Sequence, residues 1–275
     1  MNIFIDKSEG DSKKRTYLKE GDKLFDIDRV YLADCMEGMK AIPDQSIDLI
    51  LCDLPYGITA NKWDCELDLD ELWKHYNRVI KPNGAILLFG TGIFSAKVML
   101  SQPKLWRYNL VWEKTTPTGF LNANRMPLRS HEDIMVFYNK MPTYNPQKTT
   151  GHKRKVSTAE HKAHCVATTN YGEYAERTYD STERYPKSVL KFATDKQKSH
   201  LHPTQKPVAL LEWLIKSYSN EGEVVLDNCC GAGSTCIAAM NTGRHFIGME
   251  LEPKYWTAAL ERIEKNKKYG TEQNL

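Results

Sequence analysis

The chain has 275 residues, 41% of them hydrophobic and 27% charged, with a formal net charge of +3. That is enough for one large α/β domain or two small ones, and the absence of any stretch near ~18 apolar residues excludes a transmembrane helix. The seven cysteines are odd in number and contain no Cys-x-x-Cys pair, which excludes a disulfide framework and the common structural zinc sites; no metal is expected.

The first 20 residues mix acids and bases without an apolar core and are read as a loose segment, not a secretory signal, so the cytoplasm is the expected location. The first elements are a strand at Arg29–Leu32 and a short helix around Met36–Ala41. Pro43-Asp44-Gln45-Ser46 is a turn. Ile47–Cys52 is a nearly continuous apolar run, the pattern of a strand buried on both faces of a parallel sheet. Asp68, with Glu71 three residues later, opens a helix whose Leu69, Leu72, Trp73, Tyr76, Val79 and Ile80 share one face.

Pro82-Asn83-Gly84 is expected to stop that helix, and Ala85–Phe89 to form the next strand. A helix at Ile93–Ser101 and strands at Tyr108–Trp112 and Ile134–Tyr138 follow. From residue 139 to 201 no period is visible, and a stretch that long inside a compact domain suits a functional insertion. Pro207 opens a helix with Val208, Leu211, Ile215 and Tyr218 on one face. Strand Val224–Leu226, helix Ser234–Asn241, strand His245–Met249 and a last helix from Pro253 complete the chain. Alternating strands and helices predict a doubly wound, Rossmann-like α/β sheet. Its parts would be residues 21–138, an inserted irregular basic region (139–201) and residues 202–275.

Two loops carry chemistry. Asp227-Asn228-Cys229-Cys230-Gly231-Ala232-Gly233-Ser234-Thr235 directly follows a strand. Its glycines permit a tight turn and close approach of a ligand. Glu250, some 20 residues on, ends the next strand, where a carboxylate can accept from ribose hydroxyls. The third glycine of the dinucleotide pattern is missing, since position 236 is Cys, and no Gly-Lys-Ser/Thr occurs. A nucleoside cofactor without pyrophosphate therefore fits better than a nicotinamide dinucleotide. Asp53-Leu54-Pro55-Tyr56-Gly57 follows the strand Ile47–Cys52. Pro55 biases Leu54 to an extended backbone, which can aim the Leu54 carbonyl alongside the Asp53 carboxylate, while Tyr56 offers a flat face to a base. Read alone, each loop would pass as an ordinary turn.

Together they resemble the S-adenosylmethionine-dependent DNA amino-methyltransferases in the permuted arrangement called the beta class. Asp53–Tyr56 is similar to the family's (Asp/Asn/Ser)-Pro-Pro-(Tyr/Phe/Trp) motif, and Val225–Thr235 to its cofactor motif. His202–Pro207 (HPTQKP), Ile80–Gly84, Phe246–Glu250 with Tyr255, and Tyr31–Cys35 also match family segments. The resemblance implies S-adenosyl-L-methionine as cofactor, with Asp34, Cys35, Lys206, Asp227, Cys229, Gly231, Gly233, Ser234, Thr235 and Glu250 around it and Asp34 at its adenine. It implies catalysis by Asp53, Leu54, Pro55 and Tyr56 on an exocyclic amine. Asp at the first motif position leans to adenine N6; cytosine N4, or a non-catalytic DNA-binding protein of the same fold, are the alternatives. Two positions depart from the pattern: Leu54 stands for the first proline, and Cys229 for the usual Phe that would pack against the methionine end.

DNA is the implied partner. Between Lys140 and Lys198 there are twelve Lys or Arg against six Asp or Glu, a basic segment suited to a polyanion. Lys153, Arg154, Lys155, Lys162, Arg177 and Arg184 are its candidate DNA contacts. His152, His161, His164 and Cys165 have no common zinc spacing and are read as solvated or phosphate-facing. The resemblance further implies a bacterial or phage-infected cell, a cognate restriction endonuclease and a homodimer as expectations, and no membrane.

Overall fold

The computed structural model describes residues 3–6, 15–18, 26–57, 67–158, 179–194 and 205–272. The chain divides into two compact units, one of residues 1–145 and 188–275 and a smaller one of residues 146–187.

The larger unit is built on one sheet. Its strands are β1 (Ile3–Asp6), β2 (Arg15–Leu18), β3 (Arg29–Leu32), β4 (Ile47–Cys52), β5 (Ile80–Gly90), β6 (Trp106–Thr118), β7 (Arg129–Phe137), β10 (Val189–Phe192), β11 (Val224–Asp227) and β12 (His245–Glu250). Spatial order is β10-β6-β7-β5-β4-β11-β12-β3-β1-β2. The neighbours from β5 through β4, β11 and β12 to β3 are all parallel. β7 runs antiparallel between β5 and β6. Helices α1 (Cys35–Ala41), α2 (Leu69–Val79), α3 (Gly92–Ser101), α4 (Val208–Tyr218), α5 (Ser234–Asn241) and α6 (Pro253–Glu272) complete it.

The apolar run of β4 shows why two layers of helices are needed. Side chains alternate across a strand, so Leu49 and Leu51 join the core beneath α4, α5 and α6. Ile50 and Cys52 join the core beneath α1, α2 and α3. β11 divides likewise, Val225 to one core and Leu226 to the other. The helix α5 lies very close to β12: a Cβ on Gly248 would come within 3.0 Å of Cys236 Sγ and 3.1 Å of Cys230 Sγ. At the strands' N-terminal end Asp48 ties three of them, accepting from Lys81 Nζ at 2.6 Å and from the Val224 amide at 3.0 Å.

Several boundaries differ from the sequence reading. Residues 3–6 and 15–18, expected to be loose, form an antiparallel pair at the sheet edge, joined to β3 at Phe4↔Leu32. Pro82-Asn83-Gly84 lies inside β5 rather than before it. The pairing jumps from Ile47↔Ile80 to Leu49↔Ala85, so residues 81–84 bulge out of the ladder, as a proline without an N–H requires. The insertion is also narrower than 139–201. Val189–Phe192 pairs in parallel with Val111–Lys114 of β6, and Trp112 Nε1 donates to the Phe192 carbonyl at 3.0 Å. Its short run, flanked by polar residues, carried too little periodicity to be seen. Among the described residues no helix is long and apolar enough to cross a membrane.

The smaller unit pairs β8 (Lys155–Ser157) with β9 (Tyr179–Ser181), antiparallel. Arg154 grips Asp180 through both Nε (2.7 Å) and Nη2 (2.5 Å).

Candidate active site

Parallel strands deliver the loops that follow them to one edge of a sheet. β4 and β11 are adjacent and parallel, with Leu49 opposite Val225 and Ile50 opposite Leu226. The Asp53 loop and the glycine turn therefore emerge side by side, and both line one cavity of about 580 Å³. The ends of β3 (Ala33–Cys35) and β12 (Glu250) reach the same cavity, as do Trp112, Lys114, Glu132 and Lys206.

The glycine turn is held by what surrounds it. Gly231 and Gly233 take positive φ, 53° and 76°, which side-chain-bearing residues adopt at a cost. Glu250 Oε2 accepts from the Gly231 amide at 2.9 Å, and Oε1 from the Glu252 amide at 2.8 Å; each oxygen keeps a lone pair for a further donor. Asp227 accepts from the Cys229 amide at 3.2 Å, and burial pushes its carboxyl up to about 6 despite the Thr235 hydroxyl, which pulls it down. Tyr76 of α2 donates to Asn228 Oδ1 at 2.6 Å, fixing the turn from below.

The Asp53 loop is equally determined. Leu54, standing where the family pattern has proline, is buried in the core under α1, α2 and α3. Tyr56 packs on Phe94 of α3, ring centres 4.6 Å apart, and its hydroxyl donates to Asp53 Oδ1 at 2.7 Å. Asp53 Oδ2 accepts from Lys206 Nζ. Lys206 also lies 3.2 Å from Glu132 Oε2, and Lys114 Nζ donates to Glu132 Oε1 at 2.5 Å. Asp53, Lys206, Glu132 and Lys114 thus form a chain of alternating charge that sums to zero.

The side chain of Lys206 is only 8% exposed, whereas Asp53 keeps 26%. Burial raises the Asp53 carboxyl above its ordinary range, and the neighbouring Lys206 ammonium opposes that rise. Burial works against the Lys206 charge, yet Asp53 and Glu132 hold its pKa above the ordinary lysine value. Burial would also raise Glu132, but Lys206 and Lys114 outweigh it and leave that carboxyl below its ordinary range.

Of the residues singled out in the sequence, the structure brings Asp34, Cys35, Asp53, Leu54, Pro55, Tyr56, Lys206, Asp227, Cys229, Gly231, Ser234, Thr235 and Glu250 to the cavity wall. Asp34 Oδ1 also caps α1, accepting from the Met36 and Glu37 amides. Lys206, expected among the cofactor contacts, has its ammonium committed to Asp53 and Glu132. Cys229 hydrogen-bonds with Cys35, which lowers the Cys35 thiol pKa.

In the smaller unit Lys153, Arg154 and Lys155 are exposed. Arg184 instead spends its guanidinium on the carbonyls of Lys153, Ser181 and Glu183. Lys162, Arg177, His161, His164 and Cys165 lie outside the described residues, as do His202–Thr204. Among the described residues no three His, Cys, Asp or Glu are placed to hold a metal ion. Glu132 and Lys114 went unnoticed in the sequence. Both lie in polar stretches, Glu113–Thr116 and Arg129–Asp133, so nothing local set them apart.

A Rossmann-like sheet with β7 reversed between β5 and β6, a glycine turn after one central strand and an acidic-aromatic loop after its neighbour is the architecture of S-adenosylmethionine-dependent methyltransferases. Residues 47–261 match the N6/N4 family of DNA methylases, and the chain belongs to that family, whose members use S-adenosylmethionine to methylate an exocyclic amino group of adenine or cytosine in DNA. The type II methyltransferase M.HinfI of Haemophilus influenzae is 29% identical over 273 residues, spanning 88% of this chain and 69% of that protein. The M1.HpyAVI–SAM complex superposes with a TM-score of 0.59 at 22% identity, covering 86% of this chain and 98% of the other. The cytosine-N4-specific PvuII DNA methyltransferase does so at 0.63 and 15%, covering 87% and 89%. At such identities the two structures speak for the fold alone.

The cavity fits the cofactor. The glycine turn, the Glu250 carboxylate, Leu251 and Tyr255 line it together, so that it offers both acceptor oxygens and apolar wall. Gln205 Oε1 is a buried acceptor on that wall without a partner among the described residues, and such a group suits a donor from a bound molecule.

Proposed function

We propose that this chain methylates N6 of adenine within a specific DNA sequence, with Asp53 and the Leu54 carbonyl accepting the two hydrogens of the target amine. The observation that carries the reading is the Asp53 carboxylate, which lines the same cavity as the glycine turn and accepts from the Lys206 ammonium. An aspartate at that motif position leans to adenine.

An exocyclic amine is a weak nucleophile, because its lone pair is delocalised into the ring. Two acceptors on its hydrogens turn the lone pair out of the ring plane and stabilise the positive charge that develops on nitrogen. When bound, S-adenosylmethionine supplies an electrophilic methyl group. Asp53 then stands where the surplus proton of the product amine can leave. Tyr56 offers its ring to the base; such stacking is worth roughly 1–3 kcal/mol and offsets part of the few kcal/mol that base extrusion costs. Asp34, Cys35, Asp227, Cys229, Gly231, Gly233, Ser234, Thr235 and Glu250 form the cofactor side, and Lys153 and Lys155 offer phosphate contacts from the smaller unit.

Incubation of unmethylated DNA with the protein and isotope-labelled S-adenosylmethionine, followed by nucleoside mass spectrometry and sequencing of modified positions, tests the reading. Labelled N6-methyladenine at one recurring sequence is expected. Labelled N4-methylcytosine would overturn the assignment of the base.

A further inference from the structure

The hairpin joining β6 to β7 exposes an apolar tip beside the cavity. Phe120 is 81% exposed, Leu121 101% and Met126 56%. Three bulky apolar side chains standing together in water are unfavourable unless something covers them. Their presentation is built, not accidental. Gly119 takes φ 92°, turning the chain into a 3₁₀ turn over Phe120–Asn122. Backbone bonds from Asn122 to Gly119, Ala123 to Phe120, and Arg125 and Met126 to Asn122 close the loop at 2.8–3.1 Å. Thr116, Pro117, Thr118, Arg129 and His131, at its base, line the cavity that holds Asp53.

Charge selects the partner. From Lys114 to His131 the chain carries Lys114, Arg125 and Arg129 and not one carboxylate. Lys114 is paired with Glu132, which leaves the exposed Arg125 and Arg129 as the charges around the tip; an apolar tip flanked by two arginines suits a polyanion with a hydrophobic interior. Duplex DNA answers that description: its phosphates meet the arginines and its base stack accepts an apolar wedge. Extruding a base also opens a gap that such a wedge can fill.

We infer that Phe120 and Leu121 insert into the duplex beside the target and occupy the space left by the extruded base, so that they hold it in the cavity. This rests on the methyltransferase reading above.

The test uses the full chain with Phe120→Ser and Leu121→Ser combined. Because both side chains are exposed, the melting temperature should match that of the wild type. The probes are two oligonucleotide duplexes carrying the sequence found by methylation sequencing. One is fully paired; the other has an abasic position opposite the target base, which extrudes easily. The variant should lose about tenfold to a hundredfold in kcat/KM on the paired duplex and keep a rate near wild type on the other. Equal rates on the paired duplex, or equal losses on both duplexes, would overturn the inference. A wild-type protein that methylates neither duplex sinks the methyltransferase reading itself, and the wedge with it.

Discussion

Lys206→Met removes one methylene-borne charge from the centre of the site and leaves its packing between the Tyr56 and Phe89 rings nearly intact. The ammonium lies against Asp53 Oδ2 and 3.2 Å from Glu132 Oε2, with 8% of the side chain exposed. A unit charge at such a distance in a partly buried site is worth about 4 kcal/mol at an effective dielectric near 20. Glu132 retains Lys114 at 2.5 Å, so the loss falls mainly on Asp53. What then faces Asp53 is Tyr56, Glu132, Cys52 and Asp227, none of them cationic. Burial and the Glu132 charge, which both raise its pKa, would then be opposed only by the Tyr56 hydrogen bond, and the carboxyl should keep its proton to higher pH than in the wild type.

A protonated Asp53 accepts poorly from the target amine. Turnover at saturating cofactor should fall roughly 10²–10³-fold at pH 7, and the activity profile should move to higher pH. Cofactor affinity, read by calorimetry, should hardly change. Near-wild-type turnover with an unmoved pH profile would refute the reasoning. A large loss of cofactor affinity at unchanged kcat would return Lys206 to the cofactor side.

Asp53→Ala should bind S-adenosylmethionine as the wild type does and transfer no measurable methyl, checked by pairing calorimetry with a labelled-methyl assay. Gly233→Val sets a branched side chain at φ 76° with its Cβ 3.0 Å from that of Ala259; a loss of about 1–3 kcal/mol in stability and weakened cofactor binding are expected in melting and titration. Glu250→Ala removes the acceptors at the end of β12 and should raise the cofactor Kd, with kcat at saturation little altered. The buried Asp227 carboxyl titrates near 6, above its ordinary 3.8. The folded protein therefore binds that proton more tightly than the unfolded one, and the stability this contributes is present below about pH 4 and lost as pH rises through 6. Asp227→Asn should make the cofactor-free protein more stable than wild type at pH 8, by up to about 3 kcal/mol; the gap should shrink toward pH 4, followed by thermal melting across that range.

Most of the central sheet could be read directly, because a strand buried on both faces writes itself as a continuous apolar run. Ile47–Cys52 was assigned with its observed ends, and Val224–Leu226 and His245–Met249 each fell one residue short. The strands at the sheet's far edge were not so legible. β6 runs from Trp106 to Thr118, but half of it is exposed and polar, so only the apolar middle gave a signal. The four residues of β10 alternate exposed and buried, too short a run to tell from loop. Cofactor and catalytic loops were visible because glycine, proline and acidic residues at strand ends have local reasons to be there. The Asp53–Lys206 contact spans 153 positions, and nothing local marks it.

The site follows from one geometric rule and one exception to it. Loops after parallel strands share an edge, so the order in which the chain visits β4 and β11 is immaterial to the cavity, and a permuted sequence can build the same site. β7 runs the other way, so it meets that edge with its beginning rather than its end. Glu132, the fourth residue of Arg129–Phe137, is there for that reason, opposite Trp112 of β6. A search confined to residues following strands finds Asp53, the glycine turn and Glu250 and passes over Glu132. The same reversal places the β6–β7 tip, with Phe120 and Leu121, beside the cavity mouth. If the reversed strand is what couples the charge chain to the exposed tip, an alanine pair inserted into the 119–127 turn should leave cofactor binding untouched and depress methylation of paired DNA, with DNA already unpaired at the target spared. Loss of cofactor binding in that variant would show that the turn shapes the cavity itself.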